Sequence, residues 1–206
     1  MATTTITTSP DFSFPREYFF PAFFTRQTNL TIHHAQLTKW SALILSYARH
    51  HRLFRLTLSA AADSDLFFNR KLDRRLNPPD IHEVIDFMRK DGRAEYLRSG
   101  SGANGSGSGG DGSASAAAAA AAAGDVVFLY WRKPEEWAAL IEAFVDETAQ
   151  KGSVLTVYEL IEGENTRGTE FHGMDNEVLM KALNVLVKRG KAQIFGSEDS
   201  LGVKFF

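Results

Sequence analysis

An internal repeat constrains the fold of this chain more than any other feature of its sequence. In each copy an apolar stripe with helical spacing leads into a glycine and then a short alternating segment. The stripes are Ile81, Val84, Ile85 and Met88, followed by 92–96, and Leu179, Ala182, Leu183 and Leu186, followed by 190–194. This pattern is typical of an amphipathic helix that ends at a glycine and is followed by a strand. The chain therefore carries two versions of one small unit.

The rest of each copy completes the same order of elements. In each copy, a further apolar stripe with helical spacing precedes this helix and strand. The residues are Trp40, Leu43, Ile44, Tyr47 and Ala48 in the first copy, and Trp137, Leu140, Ile141, Phe144 and Val145 in the second. The first copy predicts helices over 36–51, 65–71 and 78–91, a strand over 55–58, and a hairpin of 93–98 with 126–131. The second predicts helices over 134–150, 158–162 and 175–189, a strand over 154–157, and a hairpin of 191–195 with 201–206. Three helices with a three-stranded antiparallel sheet are the winged-helix form of helix-turn-helix. We therefore predict an α+β fold of two tandem winged-helix domains, over 30–131 and 132–206.

A low-complexity tract at 99–124 separates the two strands of the first hairpin. Its 26 residues include 8 Gly, 6 Ser and 10 Ala and no larger apolar side chain. Gly/Ser-rich segments behave as flexible coil, and the entropy of closing a loop grows only slowly with its length. We predict a disordered insert in the first wing, where a long loop does not interrupt the core.

Composition and motifs disfavour catalysis and metal binding. The chain has no cysteine, which removes disulfides, thiolate metal sites and a cysteine nucleophile. Its six histidines form no zinc-binding spacing. The match to GxGxxG at 100–105 lies inside the low-complexity tract and lacks the strand and helix that a dinucleotide site needs. We predict no enzyme activity, no cofactor and no metal.

Nucleic-acid binding is the alternative function that a winged helix suggests. The third helix of such a unit enters the major groove, and phosphate contacts supply most of the affinity. Both candidate helices carry acids near their start, and the basic residues gather late. Residues 1–98 have a net charge of +4, and residues 131–206 have −4. A tandem winged-helix nucleic-acid binder therefore remains only the second hypothesis.

The segment before the first unit is rich in aromatic residues. Residues 1–11 are predicted to be disordered and lack the features of a secretory signal, which indicates a soluble protein of the cytosol or nucleus. Residues 12–29 contain two Pro-x-x-aromatic motifs, Pro15 to Tyr18 and Pro21 to Phe24. Proline restricts the backbone, and aromatic side chains are frequent interface anchors. We predict an extended arm that docks on a partner; the alternative is that its aromatics pack on the first unit.

Several ordered motifs resemble the small winged-helix subunits of the endosomal sorting complex ESCRT-II. They are the two proline–aromatic motifs followed by 25–29, then Trp131-Arg132-Lys133-Pro134-Glu135-Glu136-Trp137, Tyr158-Glu159-Leu160, Glu170-Phe171-His172-Gly173 and Gly202-Val203-Lys204-Phe205-Phe206. The resemblance covers the chain except 1–11 and 99–124. It implies a non-enzymatic adaptor that sorts ubiquitinated cargo into multivesicular bodies. Such a protein is cytoplasmic and is recruited to the endosomal membrane only through its complex.

The resemblance also assigns partners and candidate residues. The arm is expected to dock on the two larger subunits, vacuolar protein sorting-associated proteins 22 and 36, through Pro15, Tyr18, Pro21, Phe23 and Phe24. The second unit is expected to bind vacuolar protein sorting-associated protein 20 and so to nucleate ESCRT-III. Val154 and Leu155, on its first strand, are the candidates for that contact, with burial in the core as the alternative for at least one of them. No nucleic acid is expected as a partner.

Overall fold

The computed structural model describes residues 11–97, 124–196 and 201–206. These residues form two compact units that adjoin in sequence at Leu129 and Tyr130. The greater part of the predicted insert, 99–123, lies outside the described residues, as do residues 1–10 of the predicted disordered start. No helix in the described ranges is long and apolar enough to cross a membrane.

The described residues of the first unit form three α-helices and a three-stranded sheet. The helices are α1 (Leu30–His51), α2 (Leu58–Ala61) and α3 (Pro78–Lys90), and the strands are β1 (Arg55–Thr57), β2 (Phe68–Asn69), β3 (Arg74–Arg75), β4 (Ala94–Tyr96) and β5 (Val126–Leu129). Strands β1, β5 and β4 form the antiparallel sheet in that order, and β2 pairs with β3 in a separate hairpin.

The second unit repeats this arrangement. Its helices are α4 (Pro134–Glu147), α5 (Val157–Glu162) and α6 (Asn176–Lys188), and its strands are β6 (Val154–Thr156), β7 (Ala192–Phe195) and β8 (Gly202–Phe205). The sheet order β6-β8-β7 matches β1-β5-β4, with the last strand in the centre each time. The prediction of two winged-helix units of mixed helix and antiparallel sheet is confirmed.

The ends of the third helices show why the sequence repeat was readable. Gly92 and Gly190 have φ values of 69° and 70°, a left-handed conformation that glycine adopts at little cost. The next residue's N–H then returns to a helical carbonyl: Arg93 N to Met88 O at 2.8 Å, and Lys191 N to Leu186 O at 2.9 Å. This is the Schellman ending, and it turns each chain directly into a strand.

Helix α1 begins six residues before its predicted start at Gln36. The Asn29 side chain accepts hydrogen bonds from the N–H groups of Thr31 and Ile32, at 3.0 and 3.1 Å. An Asn cap of this kind satisfies amides that the first turn leaves without partners. The apolar stripe does not reveal this turn, because Leu30 and Ile32 are exposed.

The predicted short helix over 65–71 is wrong. The second helix of the first unit is instead α2, a single turn that directly follows β1. Asp125 holds its start, since its carboxylate accepts from the Ser59 N–H at 2.8 Å and from the Ser59 hydroxyl at 2.6 Å. The segment 65–71 instead forms turns and β2, because the Asn69 side chain accepts from the N–H groups of Lys71 and Leu72 and fixes a hairpin.

Candidate docking surfaces

The arm folds back on α1 and forms two 3₁₀ turns, Arg16–Phe19 and Pro21–Phe24, instead of an extended chain. Pro15 and Phe20 precede the turns, and backbone bonds from Tyr18 N to Pro15 O and from Phe23 N to Phe20 O close them. Proline's fixed φ suits the start of a turn as well as an extended chain, so burial of the aromatic side chains decides between them.

Trp40 on α1 is the main contact for the second turn. Its ring stacks on Phe23, with centroids 4.3 Å apart and planes at 9°, and meets Phe24 edge-on at 5.4 Å. The Trp40 Nε1–H donates to the Phe23 carbonyl oxygen at 3.0 Å, and Gln36 Nε2 donates to the same oxygen at 2.8 Å. Because the backbone and both rings are held together, this turn is part of the first unit's core.

Tyr18 anchors the first turn in the same way. Its hydroxyl donates to the Asp65 carbonyl oxygen, and Asn69 Nδ2 donates to the Tyr18 carbonyl oxygen at 2.9 Å. Phe14 stacks on its ring at 4.1 Å. Burial, and secondarily the charge of Asp65, raises the pKa of Tyr18 to about 12, so the phenol remains a neutral donor.

An ionic cluster fixes the end of the arm to α3. Arg26 donates through Nε and Nη2 to both carboxylate oxygens of Glu83, at 3.0 and 3.1 Å, and His33 Nε2 lies 2.9 Å from Glu83 Oε1. The hydrogen bonds from Arg26 and then from His33 lower the pKa of Glu83 from 4.5 to about 2. The cluster joins the arm, α1 and α3 at one carboxylate.

This cluster predicts a loss of stability in acid. A carboxylate whose pKa is lower in the folded state stabilises the fold above its ordinary pKa, and that contribution disappears as pH falls from about 4.5 towards 2. We expect Glu83→Gln to lower the free energy of unfolding at pH 7, and the difference from the wild type to shrink below pH 4. Urea unfolding between pH 7 and pH 3 measures both, with Glu135→Gln, at an exposed carboxylate, as the control. A difference that is constant with pH would contradict this role.

The structure divides the five predicted arm residues into two groups. Tyr18, Phe23 and Phe24 are buried, with 4%, 7% and 3% of their surface exposed, as the self-packing alternative stated. Pro15 and Pro21 are exposed.

Two phenylalanines that the motif did not single out are the exposed aromatics of the arm. Phe19 and Phe20 are 48% and 51% exposed, and they lie where the two turns meet. Tyr18 and Phe24, which end the two motifs, face the core together with Phe23, whereas Phe19 and Phe20, where the two turns meet, face outward. The sequence prediction of an extended arm does not separate buried from exposed aromatic side chains, because that separation depends on the two turns.

Phe20 borders a shallow groove against the first turns of α1. The groove has a volume of about 390 Å³, and Ala22, Ile32, Ala35 and Lys39 also line it. Ile32 is 54% exposed, and Leu30, in the same first turn of α1, is 83% exposed. We call Phe19, Phe20, Pro21, Leu30 and Ile32 the arm surface. Large apolar side chains exposed together are typical of a protein interface.

In the second unit, Val154 and Leu155 lie on opposite faces of the edge strand β6. Val154 is paired with Lys204 and is 51% exposed on the outer face of the sheet. Leu155 is paired with the buried Val203 on the inner face and is itself half-buried. Neither is enclosed in the core, and one partner surface meets both only if it wraps the edge of the sheet.

Two of the quoted sequence motifs meet in the second unit. Arg132 donates to Glu170 through Nε at 2.9 Å and Nη2 at 2.6 Å, and its guanidinium lies over the Trp137 ring. The Thr166 hydroxyl also lies 3.0 Å from Nδ1 of His172. Residues 131–137 and 170–173 therefore support the fold of this unit.

The third helices, α3 and α6, carry acidic residues where a DNA backbone would need basic ones. Glu83 of α3 is occupied by Arg26 of the arm, and Asp80 lies in the first turn of the same helix. Asp175 caps α6, and Glu177 follows in its first turn. Acids at the reading end of a helix repel phosphates, so the geometry disfavours nucleic acid as a partner. Within the described ranges, no three His, Asp or Glu side chains are grouped so that they could hold a metal.

Comparison with known proteins identifies the family. A family model described as "ESCRT-II complex subunit" matches residues 17–175. Vacuolar protein-sorting-associated protein 25 of Homo sapiens is 38% identical over 195 residues, covering 95% of this chain and 98% of its own. The protein of that name from Dictyostelium discoideum is 40% identical over 197 residues, covering 95% and 96%.

Solved structures give the same result for the fold. The crystal structure of subunit VPS25 of the endosomal trafficking complex ESCRT-II is 25% identical, with a TM-score of 0.75, and covers 93% of this chain and 98% of that one. The endosomal complex ESCRT-II (VPS22/VPS25/VPS36) contains a chain that is 25% identical, with a TM-score of 0.73 and the same coverage. The family model covers the arm from Glu17 onward and most of both units. The chain therefore belongs to the family of ESCRT-II complex subunits.

Proposed function

We propose that this protein is the small adaptor subunit of an ESCRT-II complex. Family membership carries this proposal, since the family is one of complex subunits and not of enzymes. The solved endosomal complex holds its small subunit together with VPS22 and VPS36. The corresponding partners of this chain are vacuolar protein sorting-associated proteins 22 and 36, and it acts with them in the cytoplasm and at the endosomal membrane.

The arm is the proposed contact with these larger subunits. Pro15, Pro21 and the exposed Phe19 and Phe20 supply the contact, because their side chains face solvent. Tyr18, Phe23 and Phe24 act indirectly, since their burial sets the two turns that present the others. A preformed surface lowers the entropy cost of docking. Within each proline–aromatic motif, the exposed residues therefore contact the partner and the buried residues hold the turn in shape.

The second unit is the proposed contact with ESCRT-III. Its net charge of −4 over 131–206 and its exposed apolar side chains suit a protein partner better than nucleic acid. We assign it vacuolar protein sorting-associated protein 20 as partner and Val154 and Leu155 as contact residues. Recruitment of that protein would nucleate ESCRT-III during the sorting of ubiquitinated cargo into multivesicular bodies.

A retention experiment tests this recruitment. The chain is co-expressed with both larger subunits from the same organism, and the immobilised complex is offered purified vacuolar protein sorting-associated protein 20. We expect retention by the wild-type complex and its loss with Val154→Asp combined with Leu155→Asp. The matched control is Val187→Asp, at another partly exposed valine, 38% exposed on α6. Absence of a three-subunit complex would refute the adaptor role, and equal retention by both variants would refute the assigned contact.

A further inference from the structure

A pocket on the inner side of β6 contains a buried hydrogen-bond acceptor without a partner. The pocket has a volume of about 180 Å³ and is lined by Phe144, Leu155 and Leu160. Gln150 also lines it, and its Oε1 atom is buried and accepts no hydrogen bond in the described part of the chain. A buried acceptor without a donor costs stability unless something supplies the donor.

Hydrogen bonds fix the backbone of Gln150 at both of its polar groups. Gln150 N donates to Val145 O at 3.0 Å in the Schellman ending of α4. The Gln150 carbonyl accepts from the Ser153 N–H and hydroxyl. Held at both backbone groups, Gln150 has a fixed position in the wall of the pocket.

Two acidic side chains stand among the other residues of the pocket lining. Glu159 and Glu164 both contribute to it. One oxygen of Glu159 accepts from the N–H and hydroxyl of Thr156, and these bonds lower the pKa of Glu159, so it stays ionised at neutral pH. Glu164 pairs with Arg167 at 2.7 Å, but both side chains are mostly exposed. Exposed pairs are weak, so a competing cation can replace Arg167.

We infer that this pocket receives a lysine or arginine side chain from a basic segment of a partner protein. The apolar stem would lie against Phe144, Leu155 and Leu160, the cationic head would donate to Gln150 Oε1, and Glu159 and Glu164 would balance its charge. Long basic side chains combine an apolar stem with a polar head in this way. The inference rests on the proposed recruitment role of the second unit, and it selects the Leu155 face of β6 over the Val154 face.

Peptide binding to the full-length chain tests the pocket directly. The probe is a fluorescent helical peptide of about 18 residues built from Leu and Lys, compared with a Leu and Glu peptide, in about 0.15 M salt. We expect fluorescence anisotropy to show binding of the Lys peptide only. Gln150→Leu should weaken it about tenfold because the head loses its acceptor. Gln150→Glu should strengthen it, and this second variant keeps an acceptor in place if the leucine variant folds poorly.

The matched control is Gln193→Leu, which makes the same change at an exposed position of β7 paired with Lys204. Equal weakening by both leucine variants would overturn the pocket, because it would indicate nonspecific attraction to an acidic surface. Absence of binding by the wild type would also overturn it, and would assign the acceptor to an ordered water only.

Retention of vacuolar protein sorting-associated protein 20 separates this inference from the proposed function. Retention that Gln150→Leu leaves unchanged would overturn the pocket and leave recruitment standing. If the wild-type complex does not retain that protein but the chain still binds the Lys peptide specifically, recruitment is overturned. The pocket is then supported as a site for another basic partner.

Discussion

Replacing Trp40 with alanine is expected to lower the free energy of unfolding of the first unit by about 3–5 kcal/mol. Trp40 is 1% exposed and contacts Phe23, Phe24 and Phe67. The change removes the surface on which Phe23 stacks and one of the two donors to the Phe23 carbonyl. The arm should therefore detach even in molecules whose helices remain folded.

Trypsin provides a measurement of that detachment. Arg16, the first residue of the first turn, and Arg26, which follows the second turn, are exposed cleavage sites. In Trp40→Ala, cleavage at both should become faster under conditions where urea unfolding shows the units to be folded. Trp40→Phe keeps an aromatic ring but loses the Nε1–H donor, so we expect a smaller acceleration.

The internal repeat supplies the control for this experiment. Trp137 is the equivalent residue of the second unit and is also 1% exposed. Trp137→Ala should destabilise the second unit by a similar amount while cleavage after Arg16 and Arg26 stays at the wild-type rate. Equal protection of the arm in Trp40→Ala and the wild type would show that Trp40 does not hold it.

The sequence predicted well those parts of the fold that depend on local periodicity and helix-ending glycines. Each third helix and its following strand can be read from the sequence because the apolar stripe, the terminal glycine (Gly92 or Gly190) and the strand lie within about fifteen residues along the chain. The short helix was misplaced for the opposite reason. Its start depends on Asp125, which is 66 positions from Ser59 and beyond the insert. No local pattern near residue 58 records that contact.

The candidate site was only partly predictable for a related reason. The proline–aromatic motif indicates an interface segment, and its position before the first unit is clear from the sequence. Which aromatic side chain is exposed depends on the 3₁₀ turns, and those turns depend on Trp40 and Asn69 elsewhere in the fold. The sequence therefore indicates the segment but not which of its aromatic side chains are exposed: Tyr18 is buried, and Phe19 is exposed.

The arm surface gives the second prediction with a large effect. Phe19→Ala combined with Phe20→Ala should reduce co-purification with the two larger subunits, with affinity at least about a hundredfold weaker if both are interface anchors. Both side chains are half-exposed, so the free energy of unfolding should change by less than about 0.5 kcal/mol. Tyr18→Ala with Phe24→Ala cannot serve as this test, because removing two buried aromatics would disrupt the first unit as well.

Two other exposed phenylalanines separate a specific arm surface from general loss of hydrophobic area. Phe195 and Phe206 of the second unit are 44% and 51% exposed, close to the values for Phe19 and Phe20. Their double alanine variant should co-purify with the larger subunits at the wild-type level. Undiminished co-purification of the Phe19 and Phe20 variant would refute the arm surface. Equal loss in both variants would indicate nonspecific association, because two unrelated patches cannot both be the one preformed surface that the turns of the arm present.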